Sequence, residues 1–273
     1  MSTKSCKVDQ LDEGVIRNGL TVETNKMLAK LSVYERVGST NDEVMRQLPG
    51  VREGFVVCVA NSQTSGRGRN GRAWVSPANA NIYMSIGFHV ENLEVCSIGG
   101  LSLACGVVIA RFLSDLGVDA QLKWPNDILV GGKKLAGILI ESRIKAGSAS
   151  LIIGLGVNVK MPAHEAKPID QPWVDLDYLL MKAGKSAQRN ELVTSLIESV
   201  LGACTAFMQT GFSTFAADWS KYEVLSGREV MVQTDKGEIK VSVLGISDDF
   251  ALKVTDGSHE SLFYAADIKV KLK

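Results

Sequence analysis

Between two runs of strand-forming residues lies Gly66-Arg67-Gly68-Arg69-Asn70-Gly71-Arg72-Ala73-Trp74, a segment in which glycines and arginines alternate. Each glycine costs a helix about 1 kcal/mol relative to alanine, so glycines at 66, 68 and 71 exclude a helix here and predict an irregular loop. The residues before it, 55–60, include Val56, Val57 and Val59 and read as a buried strand. Residues 81–88 after it alternate as another strand. The loop is therefore anchored to a sheet at both ends. Glycine lets backbone N–H groups approach an anion, and arginine offers a permanently charged planar fork for carboxylate or phosphate. Two readings fit such a loop: an anion cradle and an RNA-binding arginine–glycine tract. It occurs as a single short copy, and the chain has 30 basic and 30 acidic residues with zero formal net charge, which favours the cradle. Bulk attraction to nucleic acid or to a membrane is not expected.

The other elements follow from periodicity. At 273 residues, 45% of them hydrophobic, the chain can bury a large core and fold as one large domain or a large and a small one. Leu20, Leu28 and Leu31 can share one short helix. Thr40 and Glu43 have capping-box spacing at the start of a helix whose apolar face is Val44, Met45 and Leu48. Residues 98–116 have helical apolar spacing, with Gly117 as the stop. Residues 191–208 predict a helix capped by Asn190, and 212–222 another. Residues 121–124 read as a strand. Residues 128–130 and 135–141 flank Gly131-Gly132-Lys133-Lys134 as a hairpin, and 151–159 form a further buried strand. Pro162, Pro168 and Pro172 predict a long loop over 160–172. After 226 the texture changes to five short strands, at 229–233, 238–246, 251–255, 261–264 and 268–272, separated by turns at 235–237, 248–249 and 256–257. That pattern predicts a small β-barrel and a domain boundary near 224.

Cysteines at 6, 58, 96, 105 and 204 form no CxxC pair, and Cys58 and Cys105 sit in apolar runs. This usage fits a reducing, cytoplasmic setting. The first 30 residues lack a signal-peptide apolar stretch, and no run of 18 apolar residues predicts a membrane span.

Three further motifs carry chemistry. In Lys123-Trp124-Pro125-Asn126-Asp127, a carboxylate and an amide at a strand end can hold Mg²⁺ through oxygen, with Lys123 beside them to meet phosphate. The same five residues also make an ordinary Asn-Asp turn with a structural tryptophan. Lys133-Lys134-Leu135-Ala136-Gly137 places a lysine at the mouth of an apolar strand, where a charged hairpin tip is the plainer reading. Gly137, and Gly154 and Gly156 in Gly154-Leu155-Gly156-Val157-Asn158, mark close approach of a ligand or another chain segment. No G-x-G-x-x-G opens a helix, and no Walker A lysine motif or G-x-S-x-G elbow is present. A carboxylate attacking a nucleotide phosphate needs fixed cations, and Arg67, Arg69, Arg72, Lys123 and Lys134 are five candidates.

In this order and spacing, Ser39-Thr40-Asn41, the 66–74 segment, Lys123–Asp127, Lys134–Gly137 and Gly154–Asn158 resemble the biotin–protein ligase family. The resemblance covers about residues 33–272. It implies an α+β fold: a mixed, largely antiparallel sheet with helices, of the class II synthetase-like biotin/lipoyl ligase kind, followed by an SH3-like barrel. The corresponding divisions are an N-terminal extension over 1–32, a catalytic domain over 33–223 and a C-terminal domain over 224–273. The resemblance further implies biotin and ATP as substrates, Mg²⁺ as cofactor, a biotinyl-5′-AMP intermediate, and transfer to a lysine of a biotin carboxyl carrier domain. By family match Ser39, Thr40, Asn41, Gln63, Gly66, Arg67, Gly68, Arg69, Lys134 and Gly137 bind biotin. Arg69, Arg72, Trp74, Lys123, Asn158 and Trp173 serve the nucleotide, Asn126 and Asp127 serve the metal, and Lys134, Arg69 and Lys123 carry the chemistry. No side-chain base is needed for the first step, because a carboxylate is already deprotonated.

Some relatives add an N-terminal DNA-binding domain. With only about 30 residues before the region that holds Ser39, no repressor function and no DNA binding are expected here. Asn70 stands where some relatives have arginine. Relatives include monomers and sheet-edge dimers, so either state is open. The rival activities are a lipoate ligase or octanoyl transferase of the same superfamily and, from another class, the RNA-binding module.

Overall fold

The computed structural model describes residues 9–90, 98–145, 148–234, 237–264 and 269–272. Two sheets organise it. The larger has seven strands in the order β1-β2-β3-β7-β6-β5-β4. These are β1 (Leu28–Tyr34), β2 (Phe55–Ala60), β3 (Ile82–Val90), β4 (Gln121–Lys123), β5 (Asp127–Val130), β6 (Lys133–Lys145) and β7 (Ser148–Val157). β1 pairs with β2 in parallel and every other neighbour is antiparallel, so the mixed, largely antiparallel sheet is as expected.

The sheet is covered on both faces, which is why β2 reads as a continuous apolar run rather than an alternation. Val56, Cys58 and Ile152 face α3 (Thr40–Gln47), where they meet Val44 and Leu48. Val57, Val59, Ile82 and Met84 join the main core with α4 (Ile98–Asp115), Leu176 and Leu180 of α5 (Leu176–Lys182), and α6 (Arg189–Thr210). Helices α4 and α6 are long and apolar enough to cross a membrane by composition, but about half of each is buried inside the fold. Burial pushes the Cys58 thiol up to about 12, the behaviour of an inert core residue. Cys105 and Cys204 are buried as well, while Cys6 and Cys96 lie outside the described residues.

Several local expectations fail for physical reasons. The single helix through Leu20, Leu28 and Leu31 is instead α1 (Glu13–Gly19), α2 (Val22–Met27) and the start of β1. The Asn25 amide bonds the Arg17 and Leu20 carbonyls, and the chain then turns extended to pair Leu28 with Phe55. The Thr40/Glu43 capping box does not form: Ser39 occupies the N-cap, and Thr40 gives both its N–H and its hydroxyl to Gln63 Oε1. Asn190 does not cap α6, because its amide holds the N-terminal segment through the Asp12 N–H and the Gln10 carbonyl. Gln188 and Glu191 supply a capping box there.

The second sheet has the order β11-β10-β9-β8-β12 and is antiparallel throughout, in keeping with an SH3-like domain. Its strands are β8 (Glu229–Thr234), β9 (Gly237–Ile246), β10 (Leu252–Thr255), β11 (Glu260–Phe263) and β12 (Lys269–Leu272). Residues 235–236 of the expected 235–237 turn lie outside the described residues. This sheet is seated on the first through one turn. Phe250 holds a left-handed backbone (φ 66°), and its carbonyl accepts the Trp124 indole N–H at 3.0 Å. Its ring packs edge-on to Phe212, 5.2 Å between centroids. A Cβ on Gly100 would stand 2.7 Å from that ring, so the close approach needs glycine. The buried, hydrogen-bonded indole fits the structural tryptophan of the plainer reading, and Asn126 and Asp127 after it line the cavity described below.

Candidate active site

On the sheet and under the 66–74 segment lies a cavity of about 670 Å³. Every residue assigned to the site from sequence lines it except Gly66. A Cβ on Gly66 would stand 2.6 Å from Ser76 Oγ and 2.7 Å from the Trp74 carbonyl, so this glycine is needed for packing beneath the segment.

The segment itself is not irregular. Arg67 and Ala73 form an antiparallel bridge, and Trp74 N–H donates to the Gly66 carbonyl at 2.9 Å. Gly68 N–H donates to the Arg72 carbonyl at 2.7 Å and Arg72 N–H to the Arg69 carbonyl at 3.3 Å. Asn70 and Gly71 at the tip both have positive φ, 56° and 70°. This is a short hairpin on the primed turn that an Asn-Gly pair favours. The glycine count pointed to an irregular loop, but the Asn-Gly pair between bridging residues decides the geometry. Asn70 is thus the tip-former, a role that suits its tolerance of the left-handed region.

One end of the cavity is a neutral hydrogen-bonding strip. Gln63 Oε1 accepts from Thr40, while its amide Nε2 donates to Ser76 Oγ at 3.1 Å. The Ser85 hydroxyl sits between Thr40 Oγ1 (2.7 Å) and Asn41 Oδ1 (2.5 Å). Ser39, Thr40, Asn41 and Ser85 are all buried. Ser85 was missed from sequence because it lies inside the apolar β3 run. Gly154 is glycine because a Cβ there would run into Asn41 Oδ1.

The other end is charged. Lys134 Nζ stands 2.5 Å from Asp127 Oδ1 and 5.4 Å from the centre of the Trp74 ring. Trp74 lies flat over the β6–β7 floor. A Cβ on Gly156 would be 2.6 Å from its Cζ2, and one on Gly137 would be 3.3 Å from its Cζ3. Arg69 reaches across to Asn126, Nη1 to Oδ1 at 3.3 Å, and Asn126 Nδ2 donates to the Ile138 carbonyl at 2.6 Å. Burial lowers the Arg69 pKa, and nearby Arg72 adds to this while Asp127 opposes it. Arg69 Nη2 and Trp74 Nε1 are buried donors with no partner among the described residues. Behind them Lys134 bridges to Trp173, and Asn158 Nδ2 donates to the Lys134 carbonyl at 3.3 Å, closing the 160–173 loop over the cavity.

Arg67 behaves differently from the other cations. Its guanidinium donates to both oxygens of Asp42 (2.9 and 2.6 Å) and to both of Glu141 (3.1 Å each). Those bonds, Asp42 first, raise its pKa further. Neither acid was selected from sequence, since Glu141 is 74 residues away on β6.

Among the described residues no group of three His, Cys, Asp or Glu side chains could hold a metal. Asp127 with Asn126 is one carboxylate and one amide, a donor set that fits Mg²⁺ carried mainly by phosphate and water rather than by a protein cage.

Comparison with known proteins agrees with this architecture. Residues 33–158 match the biotin/lipoate A/B protein ligase family. The chain is 37% identical to the bifunctional ligase/repressor BirA of Salmonella typhimurium over 81% of this chain and 68% of that protein. It is 32% identical to the biotin–[acetyl-CoA-carboxylase] ligase of Mycobacterium tuberculosis, over 88% of this chain and 86% of that one. The Aquifex aeolicus biotin protein ligase solved with biotin and ATP superposes with a TM-score of 0.73 over 90% of this chain and 100% of that one, at 23% identity. The chain belongs to the biotin/lipoate A/B protein ligase family and groups there with the biotin ligases.

Proposed function

We propose that this chain joins biotin to a lysine of a biotin carboxyl carrier domain in two steps, with ATP as the activating substrate. The observation that carries the reading is the polarity of the cavity: a neutral hydroxyl–amide strip at one end and Arg69, Arg72, Lys123 and Lys134 at the other. A ureido ring needs both donors and acceptors when buried, which Thr40, Asn41 and Gln63 supply. A biotin carboxylate then extends toward Lys134. One of its oxygens attacks the α-phosphorus of ATP, the bond to the β-phosphate oxygen breaks, and pyrophosphate leaves with the electron pair. The reacting groups are all anionic, so the chain's part is to fix cations around them in a water-poor site. The partnerless donors of Arg69 and Trp74 are suited to acceptors of the mixed anhydride, and burying such donors without acceptors is costly. Mg²⁺ brought in with the nucleotide would neutralise phosphate charge, with Asn126 and Asp127 as its protein oxygens. In the second step a neutral lysine amine adds to the acyl carbon, the bond from that carbon to the phosphate oxygen breaks, AMP departs with the electron pair, and the proton lost by the nitrogen passes to solvent.

The arginines offer little to the RNA-binding alternative: Arg67 is held by two carboxylates, and Arg69 is buried against Asn126. Pyrophosphate exchange into ATP, measured with biotin and with lipoate, tests the proposal. Biotin-dependent exchange followed by label transfer to a carrier domain is expected, and exchange with lipoate alone would overturn it.

A further inference from the structure

We infer that Glu141 is a positioning residue of the ligase reaction, acting through Arg67 and Asn41 to seat the 66–74 hairpin over the cavity. The inference rests on the reading above for its substrates, but its geometry is independent of them. Glu141 lies on β6 and does not itself line the cavity. Its carboxylate accepts three bonds. Oε2 takes the Asn41 amide at 2.6 Å, and the two oxygens take Arg67 Nε and Nη2 at 3.1 Å each. Arg67 continues the chain to Asp42 on α3. One carboxylate on the sheet thus ties together the helix that carries the neutral strip and the first strand of the hairpin.

Two consequences follow from the bonding. Every donor of the Asn41 amide needs orientation, and Glu141 sets it: with Nδ2 held by the carboxylate, Oδ1 is turned to Ser85 and over Gly154. The Arg67 side chain is occupied by two acids, so its charge serves the hairpin rather than a ligand's phosphates. Arginine suits the latch because its fork makes four bonds to the two carboxylates from three nitrogens, which the three donors on one lysine nitrogen cannot reproduce.

The latch predicts a loss of retention rather than of chemistry. With Glu141→Gln, and separately Arg67→Lys, biotin and its adenylate should leave about tenfold faster, equivalent to about 1.4 kcal/mol, and in Glu141→Gln, whose side chain does not line the cavity, the single-turnover rate of adenylate formation changes less than about threefold. The double variant should release no faster than the worse single one, because both break the same latch. Equal release rates in folded protein, or additive effects, overturn the inference. Amide hydrogen exchange over 66–74 in ligand-free protein gives a second readout that needs no activity. Faster exchange in Glu141→Gln is expected, and unchanged exchange overturns the latch. Should the wild-type chain form no adenylate at all, the functional reading fails while the exchange result still decides the latch. If Glu141→Gln does not fold, Asp42→Asn, on the more exposed arm, takes its place in both measurements with the same expected direction.

Discussion

Substituting Gly156 with alanine tests whether the flat seat of Trp74 is essential to the site. The new methyl carbon would stand 2.6 Å from Cζ2 and 2.7 Å from Nε1 of the indole. Carbon–carbon contacts are comfortable at about 3.5–4.0 Å, so the ring or the strand must give by about 1 Å. If the strand holds and the core absorbs the strain, overpacking costs about 1–3 kcal/mol, which lowers the melting temperature by roughly 2–12 °C. If the ring moves instead, stability barely changes, but a 1 Å misplacement beside reacting groups costs about a hundredfold in rate. The indole sits in a cavity and is only partly buried, so it should move first. Two assays separate the outcomes. Thermal unfolding should shift by no more than a few degrees, and biotin-dependent pyrophosphate exchange should fall about a hundredfold, with a changed near-ultraviolet indole signal. Gly137→Ala should be milder, because its methyl would meet Trp74 at 3.3 Å and the flexible end of Lys134 at 3.1 Å, both distances that small shifts relieve. Exchange within twofold of wild type in Gly156→Ala, or a larger defect in Gly137→Ala, would refute the reasoning.

Other expectations follow from the same geometry. Lys134→Ala should lose most adenylate formation, since it removes the cation between Asp127 and the Trp74 face; near-normal single-turnover rates would remove Lys134 from the mechanism. Arg69→Ala should speed adenylate escape, read as free biotinyl-5′-AMP, and an unaltered release rate would count against a covering role. Arg67 holds the Asp42 carboxyl below the usual carboxylate range. With the folded-state pKa depressed, this stabilisation is full above the unfolded value of about 3.9 and is lost as the pH falls below it. The melting-temperature gap between wild type and Asp42→Asn should therefore shrink below about pH 4, and a gap independent of pH would contradict the pairing. Asn70→Gly should leave the hairpin intact, whereas Asn70→Val forces a branched side chain into the left-handed region and should loosen it by hydrogen exchange.

The strands and the long helix were legible because their signals are local. An apolar run such as 55–60 or the helical spacing over 98–115 must be buried whatever surrounds it. The cavity's lining was legible for the same reason where glycine, asparagine and lysine cluster in short motifs. What stayed hidden is what two distant segments make together. Glu141 looks like an ordinary strand-end acid until Arg67 and Asn41 arrive from elsewhere. Thr40 and Asn190 carry good cap signals, yet both side chains are claimed by tertiary partners, Gln63 and the N-terminal segment. The Asn-Gly pair was readable as a hairpin tip in principle, and the surrounding glycines masked it.

The turn at Phe250 has a consequence for where damage to this protein would be felt. Among the described residues none beyond 173 lines the cavity, so location alone gives the C-terminal sheet no part in it. Yet Trp124 is only 2% exposed, and its indole N–H has its acceptor in the turn between β9 and β10. Severing the chain near 224 would leave a buried donor stranded and bare the ring contact at Gly100, directly behind the segment that presents Asn126 and Asp127. A truncation or substitution far from the cavity would therefore be felt at Asn126 and Asp127, and residues 224–273 are best treated as the rear wall of the cavity's charged end rather than as an appendage.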